Sequence, residues 1–279
     1  MHDLKIIMKI QTKVHCIMIN FTRDIIESQV YIINLDVATD RFYDAQNNIS
    51  SAGFEKIMRM SGVHAAKMTA DELADEWINH GSPLIKTDGL TSILLNVHIG
   101  REGIILSQLN IWKMIIEMKD VDDNTYFTVF EDDIVFHSQW KELAPLYCMK
   151  TPHDFDILFM GNQLQIISPH GVLTPVLSNK HVCRLPSFCL HAYVITKRGA
   201  KKIYDAVLSY PGGVYTIDLM LFDMMRELNG NTCPFNWYCW NVAKFFPCER
   251  HNGEEVSNFH KVRNNGLVFQ NSEFESFIC

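Results

Sequence analysis

An α/β fold wound around a parallel strand–helix–strand unit is what the sequence predicts, on three observations. Val30-Tyr31-Ile32-Ile33-Asn34-Leu35 is an apolar, β-favouring run of buried-strand length. A helical pattern follows from Thr39 or Asp40, with Ala45, Ile49 and Ala52 on one face, and a second strand run spans Glu55 to Met60. Further on, Tyr126-Phe127-Thr128-Val129-Phe130 runs straight into Glu131-Asp132-Asp133, so carboxylates stand where a buried strand ends. Strand, helix and strand within about 30 residues wind a parallel, right-handed sheet. Ligands of such sheets bind in the crevice at the carboxyl ends of the strands, and Asn34 and Arg41 flank that crevice.

Composition narrows the class. With 47% hydrophobic and 20% charged residues, the 279-residue chain reads as soluble and globular rather than disordered. Its formal charge of −7 argues against a broad nucleic-acid-binding face. An anionic substrate would therefore need a metal or a few placed bases. No run of about 18 apolar residues exists, so no transmembrane helix is expected. Lys5, Lys9 and Lys13 interrupt the first apolar run and no small-residue cleavage site follows, so no signal peptide is expected either. The expectation is a cytoplasmic protein whose eight cysteines are reduced thiols. Were bridges to form, Cys183 with Cys189, and the trio Cys233, Cys239 and Cys248, are where they would lie. Homo-oligomerisation is left open.

The remaining elements follow in order. Gly53 is a natural stop for the first helix. Thr69-Ala70-Asp71-Glu72 is a capping-box pattern opening a helix through Trp77 and Ile78. Residues 81–96 read as loop. Gly100-Arg101-Glu102-Gly103 precedes a helix from Ile105 to Met118, with Ile105, Leu109, Trp112 and Ile116 as its apolar stripe. Ser107, one turn in, belongs to that helix or faces a ligand. Trp140 to Lys150 reads as a helix and Ile157 to Gly161 as a buried strand. Residues 162–187 read as a long loop, which in a compact domain is often functional. His191 to Thr196 is a strand, and a helix follows from Lys197 with Ala200, Ile203 and Val207 inward. Thr216-Ile217-Asp218 opens another helix. Asp218 in its first turn either compensates the helix dipole or acts as a carboxylate base at a cleft edge. Residues 231–279 are aromatic and cysteine-rich, then polar, with no clear helix.

The acidic trio carries the chemistry. In an extended chain Glu131 and Asp133 point one way and Asp132 the other. Like charges this close repel unless a cation lies between them, and a hard divalent ion held by carboxylate and phosphate oxygens is the usual solution. A solvated acidic turn after an edge strand is the alternative.

The order of these pieces resembles glycosyltransferase family 25. The likeness covers about residues 30 to 260 and rests on Ile33-Asn34-Leu35 with Arg41, Gly100 to Gln108, Glu131-Asp132-Asp133, Asp156 to Gly161, Ala192 to Ala200, Ile217-Asp218 and Ser257-Asn258. The chain departs from the family pattern at His64, Arg101, Ile104, Gln108 and Asn258. The resemblance implies a single GT-A domain, Rossmann-like and nucleotide-sugar-binding, with a mixed, mainly parallel central sheet over residues 30–260. Residues 1–29 are then an N-terminal extension and 261–279 a C-terminal tail.

It also implies an inverting, metal-dependent enzyme. Such an enzyme moves galactose, glucose or N-acetylglucosamine from a UDP-sugar to a glycan hydroxyl or to hydroxylysine of a collagen-like protein. Donor contacts are expected from Asn34, Leu35, Arg41, Gly100, Ser107, Glu131 and Asp132. Mn2+ or Mg2+ is expected on Asp133, with Glu131 second and His251 or His260 completing the shell. Asp218 is the expected base, with Asp223 second. A non-catalytic binding module on the same fold, and a metal-dependent nucleotidyl- or phosphotransferase, are the alternatives.

Overall fold

The computed structural model describes residues 24–83, 85, 95–165, 167–168, 171–172, 176–177, 179, 181–184, 186, 188–226, 232–241 and 262–270. The strands are β1 (Gln29–Asn34), β2 (Ile57–Ser61), β3 (Tyr126–Glu131), β4 (Ile134–Phe136), β5 (Ile157–Gln165), β6 (Ile167–Ser168), β7 (Gly171–Val172), β8 (Val176–Leu177), β9 (Val182–Arg184), β10 (Phe188–Thr196), β11 (Trp237–Trp240), β12 (Val262–Gly266) and β13 (Val268–Gln270). The helices are α1 (Thr39–Ser51), α2 (Ala70–Asn79), α3 (Leu95–Glu117), α4 (Trp140–Lys150), α5 (Lys197–Leu208) and α6 (Ile217–Met225).

The predicted opening unit is present: β1 lies parallel to β2, with Ile33 opposite Met60, and parallel to β3, with Ile33 opposite Glu131. Gly53 adopts a φ of 105° and so ends the turn after α1 in a conformation other residues avoid. The main sheet has nine strands in the order β2-β1-β3-β10-β5-β11-β9-β8, with β12 added beside β5. Followed through the pairings, β2, β1, β3, β5, β11 and β8 share one direction while β10, β9 and β12 oppose it. The sheet is mixed α/β with most strands aligned, as the sequence predicts.

Alternation along the strands divides the core in two. Tyr31, Phe127, Val129, Phe159 and Tyr193 face the helices α3, α5 and α6 through Leu109, Trp112, Ile203 and Met220. Val30, Ile32, Phe130, Leu158 and Val194 face α1 and α4 through Ile49, Trp140 and Ala144. Each fully buried apolar side chain contributes about 1.5–3 kcal/mol. Ala200, Ile203 and Val207 of α5 are all fully buried, as expected. The α2 capping box forms, Thr69 N–H donating to Glu72 at 2.7 Å.

Three expectations are corrected. Helix α3 begins at Leu95, not after Gly103, so Gly100 and Gly103 lie inside it. Gly103 is there because a Cβ would press on the Val63 carbonyl and on Ala65; the glycine lets the helix lie on that backbone. Residues 162–187, expected as loop, include the end of β5 and the short strands β6 to β9. Residues 262–270, expected in a tail beyond the domain, belong to it. Strand β12 pairs with β5, β13 pairs with β4, and Leu267 and Val268 are fully buried. At the other end Ile25, placed in the extension, is also buried in the core.

Candidate active site

At the carboxyl end of β3 a cavity of about 260 Å³ opens between sheet and helices. It is lined by Glu131, Asp132 and Asp133, by Arg41 of α1, by Arg101 and Ile104 of α3, by Cys189 and Leu190 of β10, by Thr216 to Leu219 at the start of α6, and by Gln270 at the end of β13. Apolar strand residues drive β3 into the core, and the β3–β4 turn then delivers three carboxylates to one place.

The three differ in what holds them. Asp132 accepts from the Asn34 amide at 2.6 Å and from the Arg41 guanidinium. Asn34 is itself fixed by Arg59, which donates to its Oδ1 at 2.8 Å. Glu131 accepts from the Gln270 amide at 3.2 Å. Asp133 is buried, and its Oδ1 has no hydrogen-bond partner.

Electrostatics follow this geometry. Burial, then the charges of Asp133, Asp132 and Asp218, push the Glu131 carboxyl up to about 8. Burial raises Asp133 to about 6 against the pull of Arg41, and raises Asp132 against the hydrogen bond from Asn34. Burial is the first cause of all three shifts, and the mutual repulsion of carboxylates this close adds to it for Glu131 and Asp133. The orphaned Asp133 oxygen beside Glu131 fits a hard divalent cation by donor type. Among the described residues no group of three His, Cys, Asp or Glu side chains is arranged to hold a metal alone, so water or a ligand would have to supply the remaining donors. His251 and His260 lie outside the described residues.

Asp218 sits in the first turn of α6. Burial raises its carboxyl, opposed by the main-chain N–H groups of Leu219 and Cys189 and by the charge of Arg101. Cys189 is held at a φ of 71°, beside a register shift between β10 and β5. A non-glycine residue in that region stores strain of about 1–3 kcal/mol, a feature that clusters at working sites.

Not every expected residue reaches the cavity. Asn34 acts behind Asp132. Leu35 does not line the space and packs beside Gly62. Gly100 is inside α3, away from the lining. Ser107 donates to the Gly103 carbonyl at 2.6 Å and accepts from Val63 N–H at 2.8 Å, tying the loop after β2 to α3. Asp223 accepts from the Tyr215 hydroxyl at 2.6 Å and is not among the lining residues. Sequence reasoning did not single out Ile104, Cys189, Leu190, Thr216, Leu219 or Gln270 as site residues. Only Thr216 and Leu219 carried a local signal, being next to Asp218.

This arrangement is an acid cluster at the strand ends of a mixed α/β sheet, with a further carboxylate, Asp218, in the same cavity. The chain belongs to glycosyltransferase family 25 (LPS biosynthesis protein), whose sequence pattern it matches over residues 27–221. No curated protein is similar enough to count as a relative. Among solved structures, the inositol-1-phosphate CTP transferase from T. maritima is similar at 12% identity over 78% of this chain and 91% of that one, with a TM-score of 0.27. A superposition that loose defines no shared detail. No helix among the described residues is long and apolar enough to cross a membrane.

Proposed function

We propose that this glycosyltransferase is a GT-A-type, metal-dependent, inverting enzyme. It would move a hexose (galactose, glucose or N-acetylglucosamine) from a UDP-sugar to a hydroxyl of a glycan or to hydroxylysine of a collagen-like protein. The carrying observation is the buried, unpartnered Asp133 oxygen, which shares one cavity with Glu131 and Asp218.

Asp133 is the proposed direct ligand of Mn2+ or Mg2+ and Glu131 the second, with His251 or His260 as further candidates. A bound cation supplies positive charge to the leaving diphosphate. Asn34 and Arg41 hold Asp132 still, so that it can meet the nucleotide without drifting toward the cation. Asp218 takes the proton of the acceptor hydroxyl as that oxygen bonds to the anomeric carbon. The bond from that carbon to the diphosphate oxygen breaks on the opposite face, and its electron pair leaves with UDP. The upward shift of Asp218 makes its carboxylate a stronger base than a solvated one. Tyr215 engages Asp223 elsewhere, which favours Asp218 of the two.

A screen of UDP-sugars with Mn2+, reading released UDP, tests the assignment. Release with a hexose donor, increased by an acceptor hydroxyl, is expected; no release with any UDP-hexose would contradict it.

A further inference from the structure

We infer that Arg101 is a second, metal-independent anchor for the donor diphosphate, a role that rests on the UDP-sugar reading above. Two cations line the cavity, Arg41 and Arg101. Arg41 is taken: its guanidinium is paired with Asp132. Arg101 is half-buried and makes no hydrogen bond or ion pair among the described residues. Its charge is close enough to Asp218 to oppose the rise of that carboxyl, yet no hydrogen bond or ion pair joins the two. A guanidinium with its five N–H donors unspent, in a space walled by carboxylates, calls for a planar anionic partner taken by two parallel bonds.

The reaction already brings one such partner, the diphosphate. On the carboxylate side it would meet the cation on Asp133 and Glu131, and on the α3 side it would meet Arg101.

The helix that carries Arg101 is fixed immediately after it. Glu102, the next residue, accepts from the Trp77 indole at 2.6 Å. Gly103 lies against the backbone of Val63 and Ala65. Arg101 is therefore presented by a packed helix rather than a loop, and donates into a site where negative charge grows as the bond to the sugar breaks.

The test is calorimetric titration of UDP and of uridine into wild type, R101Q and R101K, with Mn2+ and with EDTA. Because Arg101 holds no other residue, R101Q should melt with wild type. With Mn2+, R101Q should bind UDP about 10-fold more weakly and R101K should recover part of the loss, a lysine being a point charge without the fork. Uridine binding should be the same in all three. With EDTA, wild type should retain weak UDP binding that R101Q lacks. Equal UDP affinity in wild type and R101Q would overturn the assignment. So would a loss seen only in the acceptor KM, which would place Arg101 on an acidic acceptor instead. Failure of wild type itself to bind UDP with Mn2+ would sink the UDP-sugar reading and the anchor together, and is distinguishable because it precedes any substitution.

Discussion

The main-chain N–H of Cys189, at a φ of 71°, donates to the carboxylate of Asp218. A strained strand residue thus aims a donor at the proposed base. Glycine keeps that geometry without strain, whereas a β-branched residue disfavours it. Cys189→Val should lower stability by about 1–3 kcal/mol and reduce transfer, while Cys189→Gly should keep transfer. Denaturant midpoints and UDP-release rates on both variants check this.

Asp218→Asn should keep donor binding and lower the transfer rate by about 10²–10⁴-fold, the usual contribution of a positioned base. Single-turnover rates beside UDP affinity separate the two effects. Unchanged turnover would remove Asp218 from the chemistry.

Asp156 anchors the far side of the sheet. It is fully buried and accepts from Arg198 at 2.8 Å, Lys202 at 2.7 Å and the Asn236 N–H at 2.8 Å. Burial pushes its carboxyl up, but these partners outweigh that and hold it below the usual range. Asp156→Ala should cost about 1–3 kcal/mol of stability, chiefly by leaving the Asn236 N–H without its acceptor, because Arg198 and Lys202 are partly exposed and can turn to water, with UDP affinity unaltered under folding conditions.

His191 supplies a pH signature. Burial depresses its imidazole to about 4, with only the Val268 carbonyl opposing. The unfolded chain, with a value near 6.5, binds the proton first. Stability is therefore complete above about pH 6.5 and falls as pH drops toward 4, by up to about 3 kcal/mol. Between pH 7 and 4 the raised carboxyls of Glu131 and Asp133 contribute the opposite slope, so the His191 contribution is read as a difference: in chemical denaturation His191→Gln should lose less stability than wild type, or gain more, as pH falls from 7 to 4.

Local patterning carries far in this chain. β1, α1 and β2 are legible because each repeats its period cleanly, and the acids at the end of β3 stand out because no core tolerates them unpaired. What stays hidden is long-range. Gln270 reaches Glu131 only because β13 pairs with β4 more than 130 positions earlier in the chain, and nothing in Val268-Phe269-Gln270 announces that pairing. Gly103 reads locally as a helix boundary, yet it is a close-approach glycine within α3. Ser107 looks exposed to a ligand until Val63 is placed over it. Reduced thiols are what the sequence predicts, and Cys183 and Cys189 form no disulfide; that Cys183 stands opposite Cys239 across β9 and β11 is not legible from their spacing.

The central claim is that Asp133 and Glu131 hold a cation for a nucleotide diphosphate. Titration of UDP with Mn2+ into wild type and Asp133→Ala tests it most directly. Binding by wild type that falls in Asp133→Ala to the weak level wild type shows with EDTA, with the fold intact, is predicted. Equal binding by both proteins, or none by wild type, would contradict it.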